Sequence, residues 1–298
     1  RYPLVTGVQT CALPTSALLL LAFGSGRRAV AEVKVFSAEG FIGGIEGPAC
    51  DREGNVYCVG FRDTRTVARI TPDGRAEPFV TLPEGSAGNG IRFSPDGTAM
   101  FVADYTGHNV LRIDPATRAV TVFAHDDRMS QPNDLAMAPN GTLYASDPDW
   151  GAKTGRVWRI GSDGKAHVAA ADLGTTNGIE VSPDGRTLYV NESVQRNIWA
   201  FDITADGTLS GRRRFASFPD HGFDGMRCAA DGTLYCTRHG KGTVVVISPE
   251  GTVVEEIDVL GPNPTNLTFG GPDRKTVYVT EAGTKRIVSF RTPRAGRE

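Results

Sequence analysis

A polar residue, an apolar segment, a tight turn and a second apolar segment follow one another six times along this 298-residue chain. In every repeat the polar residue stands seven positions before the turn, and successive repeats begin 42 to 47 residues apart. An aromatic residue marks the second apolar segment of each repeat. A period of about 40 to 50 residues made of strand pairs is typical of β-propellers. The six polar residues, which we call the ring residues, are Glu46, Asn89, Asn133, Asn177, Asp224 and Asn266.

This repeat predicts an all-β fold, a six-bladed β-propeller of four-stranded blades around a central channel. Turns such as Asp184-Gly185 favour hairpins, because glycine accepts the positive φ that these turns require. The sixth repeat ends one strand short, near Arg291. We expect the segment Glu32 to Phe36 to supply the missing outer strand, since this removes an exposed sheet edge. The prediction is a single propeller domain over residues 31–298.

The first thirty residues do not share the repeat. Residues 17–23 are apolar, and Ala29-Val30-Ala31 has the small-x-small form of a signal-peptidase site. We therefore interpret residues 1–30 as a disordered or non-native leader, with a remnant of an export signal as one alternative. If the leader is such a remnant, the protein is periplasmic or secreted, and otherwise it is cytoplasmic.

Composition and charge exclude several classes of partner. The formal net charge is −2, and no basic cluster recurs with interleaved aromatic residues, which argues against nucleic acid. No apolar stretch approaches the roughly 18 to 20 residues that a membrane span needs. No Cys/His spacing resembles a zinc site, and we expect Cys50, Cys58, Cys228 and Cys236 to pack in the core rather than form disulfides. The oligomeric state stays open.

One residue per blade at the same phase must surround the central axis, so the ring residues bring carboxylate and amide oxygens together. Such oxygens are ligands for hard divalent cations, calcium first, with manganese, magnesium or zinc as alternatives. We expect Asn89 and Asn266 to cap strand ends by backbone hydrogen bonds instead. A second polar shell, three residues after each aromatic, should lie near the same rim, either at the site or as loop hydrogen-bond partners: Asp104, Asp147, Glu192, Arg238 and Glu281.

Several motifs in fixed order resemble one family. They are Gly43-Gly44-Ile45-Glu46-Gly47-Pro48, Pro132-Asn133-Asp134-Leu135, Thr176-Asn177-Gly178-Ile179, Asp224-Gly225-Met226 and Pro264-Thr265-Asn266-Leu267. Together they resemble the senescence marker protein/gluconolactonase/luciferin-regenerating-enzyme-like family, over residues 38–291. The resemblance implies a six-bladed propeller with one divalent cation at the channel mouth. The implied ligands are Glu46, Asn177 and Asp224, with Asn133 as a fourth ligand or a substrate contact.

The same resemblance implies a hydrolase that opens a lactone, often one of a sugar acid. In this interpretation the cation polarises the lactone carbonyl, and Asp224 activates water as general base. We expect the small-molecule pocket to include Gln131, Asn133, Asp134, His221, Arg238 and His239. Gln131 stands where regucalcin-like proteins carry arginine, so the preference for a polyhydroxylated sugar is open to change.

The sequence leaves other functions open. The principal alternative is a non-catalytic binding propeller, in which the cation only stiffens the channel. A serine hydrolase lacks its G-x-S-x-G motif here. A quinone-dependent sugar dehydrogenase would need cationic groups for the cofactor carboxylates, and the ring positions contain no Arg or Lys.

Overall fold

The computed structural model describes residues 32–297, and this part of the chain is built from strands, turns and loops without an α-helix. It contains 24 strands arranged in six four-stranded sheets. The predicted all-β six-bladed propeller is therefore confirmed. No helix within residues 32–297 could cross a membrane. The leader predicted for residues 1–30 lies outside the described residues and stays a prediction.

Each sheet is one blade, and its strands follow one another along the chain. Blade 1 has β2 (Phe41–Cys50), β3 (Val56–Phe61), β4 (Thr66–Ile70) and β5 (Ala76–Thr81). Blade 2 has β6 (Gly88–Phe93), β7 (Met100–Asp104), β8 (Asn109–Ile113) and β9 (Val120–His125). Blade 3 has β10 (Leu135–Met137), β11 (Leu143–Asp149), β12 (Thr154–Ile160) and β13 (Ala166–Leu173).

The remaining blades repeat this plan. Blade 4 has β14 (Thr176–Val181), β15 (Thr187–Glu192), β16 (Asn197–Ile203) and β17 (Leu209–Ser217). Blade 5 has β18 (Met226–Cys228), β19 (Leu234–Arg238), β20 (Thr243–Ile247) and β21 (Val253–Asp258). Blade 6 has β22 (Pro264–Gly270), β23 (Thr276–Glu281) and β24 (Arg286–Arg291), and takes its outer strand β1 (Lys34–Ser37) from the other end of the chain.

Strand β1 closes the propeller as expected. It pairs antiparallel with β24, with Lys34 opposite Ser289 and Val35 opposite Val288. The observed strand begins two residues later than the predicted segment and ends at Ser37. The inner strands β2, β6, β10, β14, β18 and β22 contact one another in that order, and β22 contacts β2 again. The blades therefore form a closed ring.

The core consists of six apolar clusters, and each cluster lies between two neighbouring blades. This arrangement explains why both faces of the middle strands are apolar, since each sheet packs against a neighbour on either side. Cys58, Cys228 and Cys236 are buried in these clusters, Cys50 is half-buried, and all four are free thiols. The prediction of core packing without disulfides holds for these four cysteines.

Candidate functional site

A β-bulge directs the ring residues toward the channel. In β2, β6, β14 and β22 the register with the second strand shifts beside the ring residue. In blades 3 and 5, one second-strand residue bonds two consecutive inner residues: Thr237, for example, accepts from Asp224 N–H and donates to Gly225 O. Because a bulge inserts one extra residue, side chains three positions apart turn to the same side.

Close contacts between neighbouring inner strands hold the ring residues together. A Cβ on Gly47 would lie 2.0 Å from the carbonyl oxygen of Asn89, and a Cβ on Gly178 would lie 2.3 Å from the carbonyl oxygen of Asp224. A Cβ on Gly225 would lie 1.9 Å from Asn266 Oδ1. Gly90 is equally confined, because a Cβ there would lie 2.7 Å from the Cα of Asp134. Glycine is therefore required directly after four of the ring residues, since a side chain there would push the blades apart.

The two carboxyl groups of the ring meet. Glu46 and Asp224 are hydrogen-bonded to each other through their side chains, although they belong to blades 1 and 5. Burial raises the pKa of Glu46 from 4.5 to about 8, against the lowering effect of the Gly47 N–H that its carboxylate accepts. Burial and the adjacent Glu46 raise the pKa of Asp224 well above 3.8. Two carboxyl groups in contact need a shared proton or a positive charge between them.

Asn177 presents a bare oxygen to the site. Its Nδ2 donates to Ser193 Oγ at 3.1 Å, and Ser193 in turn donates to the carbonyl oxygen of Phe223 at 2.6 Å. This chain of bonds fixes the amide so that its nitrogen faces Ser193. Asn177 Oδ1 is buried and accepts no hydrogen bond, while the Asn177 side chain hydrogen-bonds Asp224.

Asn266 and Asn89 differ, although both were expected to cap strand ends. Asn266 Oδ1 accepts the Leu267 N–H at 2.9 Å, so the capping prediction is confirmed for this residue. Its side chain also hydrogen-bonds the carboxyl groups of Glu46 and Asp134. Asn89 Oδ1 is buried and accepts no hydrogen bond, so the capping prediction for that oxygen is wrong.

A buried ionic network lies beside the ring. Asp134, which is 0% exposed, accepts from Arg227 Nη1 at 3.1 Å and lies 3.8 Å from Arg92 Nη1. Glu180 lies 3.5 Å from Arg92 Nη2 and 3.1 Å from Arg297 Nη2. Burial raises the pKa of Asp134, and Arg92 opposes that shift. The network joins blades 2 to 5 and the C-terminal segment around the channel.

The second polar shell holds loops. Asp104, Asp147, Glu192 and Glu281 are buried, and each accepts backbone N–H groups from the loop that leads into its own blade. Blade 5 reverses the charges, because Arg238 donates to Asp220 on the corresponding loop at 2.9 Å. Of the two roles left open by the sequence, the described contacts are those of loop hydrogen-bond partners.

The residues expected in the substrate pocket differ in their burial and in their contacts. Asn133 is 5% exposed beside Asp134, and Gln131 is half-buried with its N–H bound to Asp147 at 2.6 Å. His221 and His239 are exposed, and His221 lies 3.1 Å from Asp220. Asp134 and Arg238 are 0% exposed and form ion pairs, and their direct contact with the substrate stays a prediction.

The ionic network was not predicted, although the sequence contains a signal for it. Arg92, Glu180 and Arg227 each stand three positions after a ring residue, with an apolar residue or cysteine on either side. The bulge makes this spacing face the channel, and the bulge itself was not predicted. Ser193, which orients Asn177, directly follows Glu192 of the second shell and carries no distinguishing pattern of its own.

The donor set fits a hard divalent cation. Within residues 32–297, no cluster of three or more His, Cys, Asp and Glu side chains has the geometry to hold a metal. A cation here would therefore depend on amide oxygens as well as on the two carboxylates. The bare oxygen of Asn177 and the touching carboxyl groups of Glu46 and Asp224 meet that need, since calcium takes carboxylate and amide oxygens together.

The described part of the chain thus defines a class, the six-bladed propeller with an oxygen-rich ring in its channel. Residues 105–283, more than half of the chain, match the family described as the SMP-30/gluconolactonase/LRE-like region. The chain belongs to this family, which confirms the resemblance noted in the sequence.

Individual relatives match over most of their length. A gluconolactonase of Zymomonas mobilis is 27% identical over 293 residues, which cover 84% of this chain and 79% of that protein. The diisopropyl-fluorophosphatase of Loligo vulgaris is 25% identical over 288 residues, which cover 86% of this chain and 91% of that protein. Among solved structures, the calcium-binding protein regucalcin of Agrobacterium tumefaciens superposes with a TM-score of 0.73, at 24% identity and over 89% and 96% of the two chains.

Proposed function

We propose that this protein is a lactonase, a hydrolase of carboxylic esters, that depends on one divalent cation. The observation that carries the proposal is the contact between the Glu46 and Asp224 carboxyl groups beside the bare Asn177 oxygen. The similarity to a gluconolactonase over most of both chains supports a sugar-acid or related small lactone as the substrate class.

Glu46, Asn177 and Asp224 would hold the cation, with Asn133 as a fourth ligand or a substrate contact. When bound, the cation would polarise the lactone carbonyl and stabilise the negative charge that develops on its oxygen. Oxygen donors of this kind make calcium the first choice, and manganese, magnesium or zinc remain alternatives.

Asp224 is assigned the role of general base. Its ionised carboxylate accepts a proton from the water that attacks the carbonyl carbon. The ring C–O bond then breaks, the departing ring oxygen takes up a proton, and the product is an open-chain hydroxy acid. The raised pKa of Asp224 means that this carboxylate needs a positive charge nearby to stay ionised at neutral pH.

Two features of the chain support this role. The backbone of Asp224 is held on both sides, because its N–H donates to Thr237 O and the following Gly225 N–H donates to Thr265 O. The Asn177 amide cannot rotate freely, because its nitrogen is bound to Ser193. A rigidly held base and oxygen donor reduce the reorganisation needed in the transition state.

The test is to strip the purified protein with a chelator and restore calcium, manganese, magnesium or zinc singly. Acid release is then followed from a panel of sugar-acid and aliphatic lactones, with a phosphorofluoridate included because one relative is a fluorophosphatase. We expect lactone turnover to vanish on stripping and to return with one cation. Cation-dependent thermal stabilisation without turnover of any substrate would refute the lactonase and favour the non-catalytic binding propeller.

A further inference from the structure

Asn89 has an oxygen without a partner at the centre of the molecule. Its Oδ1 is buried and accepts no hydrogen bond, a property that only Asn177 shares among the described ring asparagines. A buried amide oxygen without a partner is costly, so such an atom suggests a ligand that completes its contacts.

The position of Asn89 places this oxygen in the ring. Gly47, which directly follows Glu46, packs on the Asn89 carbonyl group, and a Cβ there would lie only 2.0 Å from that oxygen. On its other side, the Gly90 N–H donates to the carbonyl oxygen of Asn133 at 2.8 Å. Asn89 therefore stands between Glu46 and Asn133, two residues assigned to the proposed site.

The backbone explains why this oxygen stays bare. In Asn266 the amide oxygen takes the N–H of the next residue, Leu267. Asn89 and Asn177 are each followed by a glycine whose N–H donates to the neighbouring blade. The Gly90 N–H donates to Asn133 O, and the Gly178 N–H donates to Asp224 O. Asn-Gly at a ring position thus leaves the amide oxygen available, whereas Asn-Leu does not.

We propose that Asn89 contributes its side-chain oxygen to the divalent-cation site, in addition to the residues that the family resemblance implies. This inference rests on the proposed function, because it assumes that the ring binds a cation. It adds a neutral ligand from blade 2, adjacent to Glu46, and it predicts that replacing Asn89 changes cation affinity even in the absence of substrate.

The experiment titrates Ca²⁺ alone into stripped protein by isothermal calorimetry and records the thermal midpoint of the stripped form. Asn89→Ala is expected to raise the Kd about tenfold or more, and Asn89→Asp to lower it by about as much, since affinity follows ligand number and charge. The matched control is Asn109→Ala in the same blade, whose amide is bound to Gly107 O and His125. Its Kd should stay within about twofold of the parent.

Asn89→Asp keeps the shape of the side chain and decides the question if Asn89→Ala fails to fold. A parent that binds Ca²⁺ while both Asn89 variants match its Kd within about twofold would overturn this inference and leave the proposed function intact. A lower thermal midpoint with unchanged Kd would show a purely structural role and overturn it as well. A parent that binds none of calcium, manganese, magnesium and zinc, each titrated in turn, would overturn both proposals.

Discussion

Raising the pH from about 6 to 8 should strengthen divalent-cation binding steeply, because the site must release protons before it can bind. Burial raises the pKa of Glu46 to about 8, and burial together with Glu46 raises that of Asp224 well above 3.8. At pH 6 the stripped protein therefore holds at least one proton on this pair. A cation needs both carboxylates ionised and must displace that proton.

The size of the effect follows from the number of protons released. One proton displaced makes the Kd fall about tenfold for each pH unit below the pKa, or about 1.4 kcal/mol per unit. From pH 6 to about 8 this amounts to about 50-fold, since Glu46 is half-ionised at its pKa, and the Kd should level off above that pKa.

The same shift fixes the sign for the stability of the stripped protein. Between the unfolded pKa of 4.5 and the native pKa of about 8, the native state binds more protons at Glu46 than the unfolded state does. The free energy of unfolding therefore falls as the pH rises through this window, and the stabilising contribution is complete only below 4.5. Added cation should reverse the loss at high pH.

Calorimetry in two buffers of different ionisation enthalpy measures both the Kd and the number of protons released. The matched control is Glu46→Gln, which keeps the shape of the side chain but removes one titrating group, so its pH slope should be smaller. A parent protein whose Kd changed by less than about twofold between pH 6 and 8 would refute the reasoning, because the pair would then be ionised already.

Three further predictions concern single side chains. Asp224→Ala should abolish lactone turnover and weaken cation binding while circular dichroism shows the same all-β fold, and full activity would remove Asp224 from the mechanism. Ser193→Ala frees the Asn177 amide and should raise the cation Kd by about 10-fold, measured by calorimetry, whereas Ser193→Thr, which keeps the hydroxyl, should retain affinity. Asp134→Ala leaves the buried Arg227 without its carboxylate and Arg92 with Glu180 alone, and should cost about 3 to 5 kcal/mol in urea unfolding. The exposed control Asp127→Ala should cost less than about 0.5 kcal/mol.

The repeat made the fold predictable, because the start of each blade is marked by a polar residue that recurs every 42 to 47 positions. The closing strand was predictable for a similar reason: the last repeat lacked one strand, and the segment before Phe41 had strand character. Its observed bounds, Lys34–Ser37, differ from the prediction by one or two residues because pairing with β24 decides where the strand begins and ends.

The site was predictable only in part. The shared position of Glu46 and Asp224 in their repeats predicted that they lie close together. It could not show which amide oxygens of the ring lack a hydrogen-bond donor. That difference depends on where a neighbouring N–H points, and it separates Asn89 from Asn266, two residues of the same type at the same phase. The burial of Asp134 could not be predicted from the sequence either, because the bulge is what places Arg227 and Arg92 around its carboxyl group.

Charge in the channel gives a reason for a divalent rather than a monovalent cation. Within residues 32–297, the ionisable groups joined by the contacts given above are four acids, Glu46, Asp134, Glu180 and Asp224, and three arginines, Arg92, Arg227 and Arg297. Fully ionised, this set carries one net negative charge. A monovalent cation would only neutralise it, whereas a divalent cation leaves one positive charge. One positive charge complements the single negative charge that develops on the carbonyl oxygen of a lactone under attack. In the proposed mechanism, the arginines of the network would therefore contribute to transition-state stabilisation without touching the substrate, because they set the residual charge that the site presents.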